Sequence, residues 1–210
     1  MSANIILGVT GGIAAYKSVQ IASSLSKLNY NVYTIMTESA AEFVSPLTFH
    51  SITHLPVESK LFTSTSNEVK HIELADKADL ILVAPATANF IAKAAAGIAD
   101  DLLTTTLLAV QAPVMLAPSM NVHMFENPAV QKNMRSLEEL GHEIITPEAG
   151  YLACGYTGKG RLPEPERLVE EAVKKLSSKD LEGKKILITA GPTQESIDPV
   201  RFLSNHSSGK

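Results

Sequence analysis

"IILGVTGGIAAYKSVQIASSLSKLN", residues 5–29, decides the fold. It opens with "IILGV" (5–9), an apolar run without polar alternation, as expected of a strand buried on both faces. Gly11 and Gly12 follow, and then a helix-like run reaches about Asn29. The same alternation continues along the chain. "NVYTIM" (31–36), "DLILVA" (79–84), "PVMLAP" (113–118) and "HEIITP" (142–147) read as further strands. Helices are predicted at Ala40–His50, Phe90–Ala96, Asp100–Val110 and Pro128–Leu140, with a last one at about 166–178. Apolar strands separated by helices specify a parallel sheet covered on both faces. The expected architecture is a doubly wound, three-layer α/β/α domain of Rossmann-like type over residues 1–178. The polar "SSKDLEGK" (177–184) then reads as a linker. A new strand is predicted in "KKILITAGPTQE", so that 179–210 is a linker and the opening of a second α/β domain whose remainder is absent.

Composition narrows the function classes. The 210 residues are 45% hydrophobic and 19% charged, the balance of an ordinary globular protein. A net charge of -4 gives no basic surface for nucleic acid. No apolar stretch approaches the ~20 residues of a membrane span, and the N-terminus lacks the pattern of a signal peptide. One cysteine excludes an intrachain disulfide, and the cytoplasm is the expected compartment. With that single thiol and no clustered carboxylates, no metal site is expected.

In open α/β sheets, ligands sit beyond the carboxyl ends of the strands, so the residues there carry the functional reading. "GVTGGIAAYKS" departs from the dinucleotide fingerprint because Thr10 stands where a glycine is needed. It departs from the P-loop because Tyr16 does. The segment is either a phosphate cradle at a helix N-terminus or a tight turn without a ligand. Thr37 and Ser39 either cap a helix or add hydroxyls to that cradle. In "APATANF" the small residues keep the rim open for a planar ring, and Asn89 offers a donor and an acceptor; the alternative is a plain helix start. Asn121, between two methionines in "APSMNVHMFENP", either braces a loop or receives a carboxylate or amide. His71 in "VKHIELADKAD" is structural or catalytic. "AGYLACGYTGKGRLPEPE" (149–166) holds four of the 12 glycines and the lone Cys154. Glycine at that density disfavours helix and strand, and a mobile loop is expected. Lys159 and Arg161 near it are solvated charges or phosphate contacts.

Taken together and in order, "GVTGGIAAYK", "HIELAD", "APATANF", "APSMNVHM" and "ACGYTGKGRL" resemble the flavin-containing cysteine decarboxylases, most closely the branch acting on phosphopantothenoylcysteine. The tail "ITAGPTQESIDPVRFLSNHSSGK" resembles the start of a phosphopantothenate–cysteine ligase domain. Too little of that domain is present for ligase activity to be expected. The resemblance implies FMN, held by Gly11, Gly12, Ile13, Ala14 and Ser39, with Pro85, Ala86, Thr87 and Asn89 beside the flavin. It implies His71, Asn121 and Cys154 as catalytic residues. Asn121 would hold the substrate carboxylate, in the company of Met124, Ala153, Lys159 and Arg161. Phe125 stands where the family has Trp, and altered packing with retained activity is expected.

The implied reaction is oxidation of the substrate thiol to a thioaldehyde, loss of CO2, and reduction of the enethiolate to 4'-phosphopantetheine, with Cys154 as proton donor. The implied assembly is a trimer-based homo-oligomer, a dodecamer, in which His71 serves a neighbour's flavin. Two rivals are prenyl transfer on the same fold and a flavin-binding subunit without turnover. The His71, Asn121 and Cys154 contexts and the ligase-like tail weigh against both.

Overall fold

The computed structural model describes residues 2–62, 69–151, 155–178 and 180–207. They divide into two compact units, Met1–Ser177 and Ser178–Lys210.

The first unit is built on a six-stranded parallel sheet. Its strands are β1 (Asn4–Val9), β2 (Asn31–Met36), β3 (Val57–Glu58), β4 (Leu80–Ala86), β5 (Val114–Pro118) and β6 (Glu143–Ile144), in the order β3-β2-β1-β4-β5-β6. Between and after them come α1 (Ala15–Lys27), α2 (Glu38–Ala41), α3 (Pro46–Thr53), α4 (Lys70–Lys77), α5 (Ala88–Ala95), α6 (Leu102–Ala109), α7 (Val122–Glu126), α8 (Pro128–Glu139) and α9 (Pro165–Leu176). The side-chain period of two splits each central strand between two cores. Ile5, Leu7 and Leu82 pack with Ile21, Leu25, Phe49 and Leu168 from α1, α3 and α9. Ile6, Ile81 and Val83 pack with Ile91, Leu103, Leu107 and Leu137 from α5, α6 and α8. The three-layer reading is correct, and the apolar runs read as strands because both faces are covered.

Several local expectations are corrected. The single helix at Ala40–His50 is two helices, because Ser45 caps α3 through the Leu47 amide and Pro46 begins it. The edge strand β3, two half-buried residues, is too short to announce itself in the sequence, and the strand predicted at 142–147 is confined to Glu143–Ile144 in β6. The glycine-dense stretch is not simply loop. Antiparallel strands β7 (Glu148–Tyr151) and β8 (Thr157–Arg161) pair there as a hairpin.

In the second unit, the strand predicted from Lys184 does not form. Ile186, Leu187 and Ile188 are exposed, and among the described residues nothing pairs with them; a strand without a ladder partner has no hydrogen bonds to hold it. A short hairpin of β9 (Gln194–Ser196) and β10 (Phe202–Ser204) follows, its turn held by Asp198, which accepts from the amides of Val200 and Arg201.

One buried charge joins two helices of the same layer. Lys17 lies within α1 with its side chain 9% exposed, and its ammonium meets the Glu164 carboxylate at 3.0 Å, just ahead of α9. Glu164 also accepts from Arg161 at the end of β8. The hydrogen bond from Lys17 holds the Glu164 carboxyl below its ordinary value of 4.5. Such a group adds stability above its unfolded pKa, and the increment is lost as pH falls through the lower, folded pKa. Glu164→Gln is therefore expected to lower the urea midpoint at about pH 7, where it leaves Lys17 buried without its anion. The gap to wild type should close on acidification below 4.5. Parallel curves at all pH values would show that the pair contributes nothing.

Candidate active site

Parallel strands place all their carboxyl ends on one edge, and the order places β2 on one side of β1 and β4 on the other. The connections after β1 and β4 therefore diverge, and a crevice opens between them. A cavity of about 920 Å³ occupies this edge.

Its floor is pinned by Thr10. The buried hydroxyl donates to the Pro85 carbonyl at 2.7 Å and accepts from the Thr87 amide at 3.0 Å, joining the ends of β1 and β4. The Thr37 amide donates to the Val9 carbonyl, and the Ser119 amide to Ala86, closing the neighbouring gaps. Thr37 then caps α2, Thr87 caps α5, Asp101 caps α6 in a reciprocal box with Thr104, and Asn121 caps α7 through the His123 amide. The N-termini of α2, α5, α6 and α7, and the turn leading into α1, thus gather around one space. Their free amides make it receptive to anions.

Gly11 explains the close approach of the first two connections. A Cβ there would lie 2.3 Å from the Ser39 Cβ, so only glycine lets the β1–α1 turn meet α2. Lys17 and Ser18, which matched the end of a P-loop, point inward instead: Lys17 to Glu164, and Ser18 as a donor to the Ala84 carbonyl.

The hairpin forms part of the wall. Gly160 lines the cavity, accepts from the Met120 amide at 3.0 Å, and has φ +132, a conformation that other residues rarely adopt. A Cβ at Gly160 would lie 2.5 Å from the Met120 carbonyl oxygen, and one at Gly158 would lie 2.6 Å from the Val122 side chain. These two glycines let β8 press against the segment that carries Asn121. The Tyr156 ring meets His123 edge-on at 5.2 Å on the same side. Phe125 is half-buried against the α8 core.

Of the residues singled out in the sequence, Gly11, Gly12, Ile13, Thr37, Ser39, Thr87, Asn89, Asn121 and Met124 line the cavity. Ala14, Pro85 and Ala86 do not. Ala14 packs on the α1 core, Pro85 presents its carbonyl to Thr10, and Ala86 is fully buried. Lys159 is exposed outside the lining, and Arg161 is engaged by Glu164. His71, in the first turn of α4, lies outside the cavity lining of its own chain. Ala153 and Cys154 lie outside the described residues. Thr10, Lys60, Lys93, Asp100 and Asp101 also line the space and were not singled out. Thr10 could have been read as more than a mismatch, since a polar residue ending a buried strand needs a partner.

A family profile, "Flavoprotein", matches residues 1–177. The chain belongs to the flavoprotein family. A second profile, "DNA/pantothenate metabolism flavoprotein C-terminal domain", matches residues 181–210. The flavoprotein chain is 56% identical over 211 residues to the coenzyme A biosynthesis bifunctional protein CoaBC of Bacillus subtilis, with 99% of this chain and 52% of that protein covered. It is 44% identical to the protein of the same name from Mycobacterium bovis, covering 98% and 50%. The chain thus spans about half the length of these relatives. Among solved structures, it is similar to a cysteine-to-serine mutant of PPC decarboxylase complexed with pantothenoylaminoethenethiol, with TM-score 0.75, 29% identity, and 85% and 100% coverage. It is similar also to the FMN binding protein AtHal3, with TM-score 0.71, 30% identity, and 83% and 96% coverage.

The site fits a flavin nucleotide. The Gly11 cradle is one that a Cβ would fill, and Gly12 faces open space, where a Cβ would meet only Thr87 at 3.6 Å. Amides of the β1–α1 turn and the Ser39 hydroxyl could receive the phosphate, and the small residues at the start of α5 leave room for the ring. Gly11→Ala is expected to weaken FMN binding on the order of tenfold or more, about 1.4 kcal/mol, with the far-UV circular dichroism unchanged. Fluorescence titration of the flavin measures this, and undiminished affinity would remove Gly11 from the cofactor site.

Proposed function

We propose that this chain binds FMN at the crevice between β1 and β4 and decarboxylates 4'-phosphopantothenoylcysteine to 4'-phosphopantetheine, a step of coenzyme A biosynthesis. The observation that carries the reading is the placement of Asn121. It lines the same cavity as the Gly11–Gly12 turn, and the backbone contact of Met120 with Gly160 in β8 holds the segment that bears it.

Loss of CO2 from a cysteine-type carboxylate leaves a carbanion with nothing to stabilise it. Bound FMN supplies the missing chemistry, reversible two-electron oxidation of the carbon bearing the thiol. The chain's own residues position and protonate. The Asn121 side chain already accepts from the His123 amide at 2.8 Å, so its amide group is held in a defined orientation. In this reading its NH2 group donates to the substrate carboxylate, and Met124 packs against the same ligand. The hairpin excludes water from the reacting atoms. In this reading Cys154 gives a proton to the enethiolate carbon; a thiol of ordinary pKa near ~8.5 holds its proton at neutral pH and serves as an acid.

His71 lies off its own chain's cavity, which supports a role at the cavity of a neighbouring copy in a trimer-based dodecamer. Residues 1–178 form the decarboxylase domain, and 179–210 form a linker and the start of a ligase domain. Among the described residues, no helix is long and apolar enough to cross a membrane, consistent with a cytoplasmic enzyme.

The test is product analysis by mass spectrometry after anaerobic incubation with phosphopantothenoylcysteine. Wild type is expected to yield 4'-phosphopantetheine. Asn121→Ala should lower kcat/KM by at least about a hundredfold, the scale of ~2.7 kcal/mol of transition-state stabilisation. Cys154→Ser should release CO2 and accumulate the oxidised, unreduced product. Untouched substrate in the presence of bound FMN would sink the reaction while leaving the cofactor in place. Normal product from Cys154→Ser would sink the proton-donor assignment.

A further inference from the structure

Near its C-terminal end, α5 turns a lysine onto the cavity wall. The Lys93 ammonium takes both oxygens of Asp100, at 2.8 and 2.9 Å, and approaches Asp101 at 3.6 Å. Its side chain is only 24% exposed. All three residues line the cavity, as does Asn89, one turn earlier on the same helix. The hydrogen bond to Asp100 raises the Lys93 pKa above its ordinary value, so the ammonium is charged throughout the neutral range.

The described lining carries three carboxylates, Glu38, Asp100 and Asp101, and two ammonium groups, Lys60 and Lys93. Lys60 is exposed, whereas Lys93 is the cation held against the α5–α6 end. Without Lys93, Asp100 would lose its ion-pair partner and Asp101 would keep only the Thr104 amide and hydroxyl at the α6 N-terminus. Asp101 could not turn away, because one of its oxygens is committed to the Thr104 amide and hydroxyl.

Resting on the FMN reading above, we propose that Lys93 is a tuning residue: by neutralising Asp100 and Asp101 in the cavity wall, it raises the reduction potential of the bound flavin. Reduction by two electrons and one proton adds one negative charge to the flavin. Uncompensated carboxylates nearby disfavour that charge, and an ammonium favours it. The oxidised flavin gains no charge and responds less. Lys93 therefore biases the half of the cycle in which the cofactor holds the substrate's electrons, without touching the reacting atoms.

A purely structural clamp would also place these residues together, since Lys93 lies at the C-terminal end of α5 and the aspartates at the start of α6. The two roles differ in sign. Breaking a clamp from either side loosens the same turn. Changing the charge from either side moves the potential in opposite directions.

The experiment is dye-equilibration potentiometry on the full FMN-loaded chain as wild type, Lys93→Met, Lys93→Arg and Asp100→Asn. Lys93→Met is expected to shift the potential negative, reduced FMN being held on the order of tenfold more weakly relative to oxidised FMN, about 30 mV for a two-electron couple. Asp100→Asn should shift it positive, and Lys93→Arg should stay near wild type. If Lys93→Met fails to fold, the positive shift of Asp100→Asn carries the test alone. Shifts of the same sign in Lys93→Met and Asp100→Asn, or no shift in Asp100→Asn, overturn the proposal. A wild-type chain that takes up no FMN overturns the cofactor reading, and this proposal with it.

Discussion

The hydroxyl of Thr10 is the contact on which the site depends. Strands β1 and β4 are neighbours in the sheet but are separated by some 70 residues of chain, and their following connections turn opposite ways. One oxygen donates to Pro85 and accepts from Thr87, so the two strand ends hold a fixed separation. Gly11 and Gly12 are set by the first end, and the cap of α5 by the second. Glycine at position 10 would free the backbone for a pyrophosphate but could not make this bridge. The departure from the dinucleotide fingerprint is thus the feature that defines this crevice.

The second constraint is the glycine content of β8. The usual reading of dense glycine is conformational freedom, and it led to the expectation of a loop. Here Gly158 and Gly160 are needed because backbone and side-chain atoms of Met120 and Val122 leave no space for a Cβ. They are packing glycines. A packed β8 fixes Asn121, and the ion triad of Lys17, Glu164 and Arg161 fixes the end of β8 to α1. Both walls of the cavity are therefore referred to the same helix, whose leading turn is the Gly11–Gly12 segment.

What the sequence made legible follows from range. Strands β1, β2, β4 and β5 were readable because double-sided burial writes an apolar run, and the residues just past them were readable because parallel strands end on one edge. Gly11, Ser39, Thr87 and Asn121 were found that way. Strand β3 was not, since two half-buried edge residues carry no pattern. Helix α4 hides in "HIELAD", a stretch read for His71 and not for a helix. The placement of Pro85 and Ala86 behind the cavity, and the capture of Arg161 by Glu164, depend on side-chain directions that spacing does not encode. Lys93 and Asp100 lie seven apart, a spacing that would share a face only in a continuous helix, whereas α5 ends at Ala95 between them.

The charge pattern of the crevice gives the arrangement a polarity. The β1–α1 turn and the start of α2 present amides that favour an anion. At the α5–α6 end, by contrast, the Asp101 carboxylate is already spent on the α6 N-terminus and Asp100 on Lys93. A ligand with a phosphate at one end and a polarisable ring at the other has one favourable direction in such a space, phosphate toward Gly12 and ring toward α5. The orientation then needs no dedicated base-reading residue. Small residues after β4 suit such an orientation, because they would leave one face of the ring uncovered toward Asn121, the residue proposed above to hold the substrate.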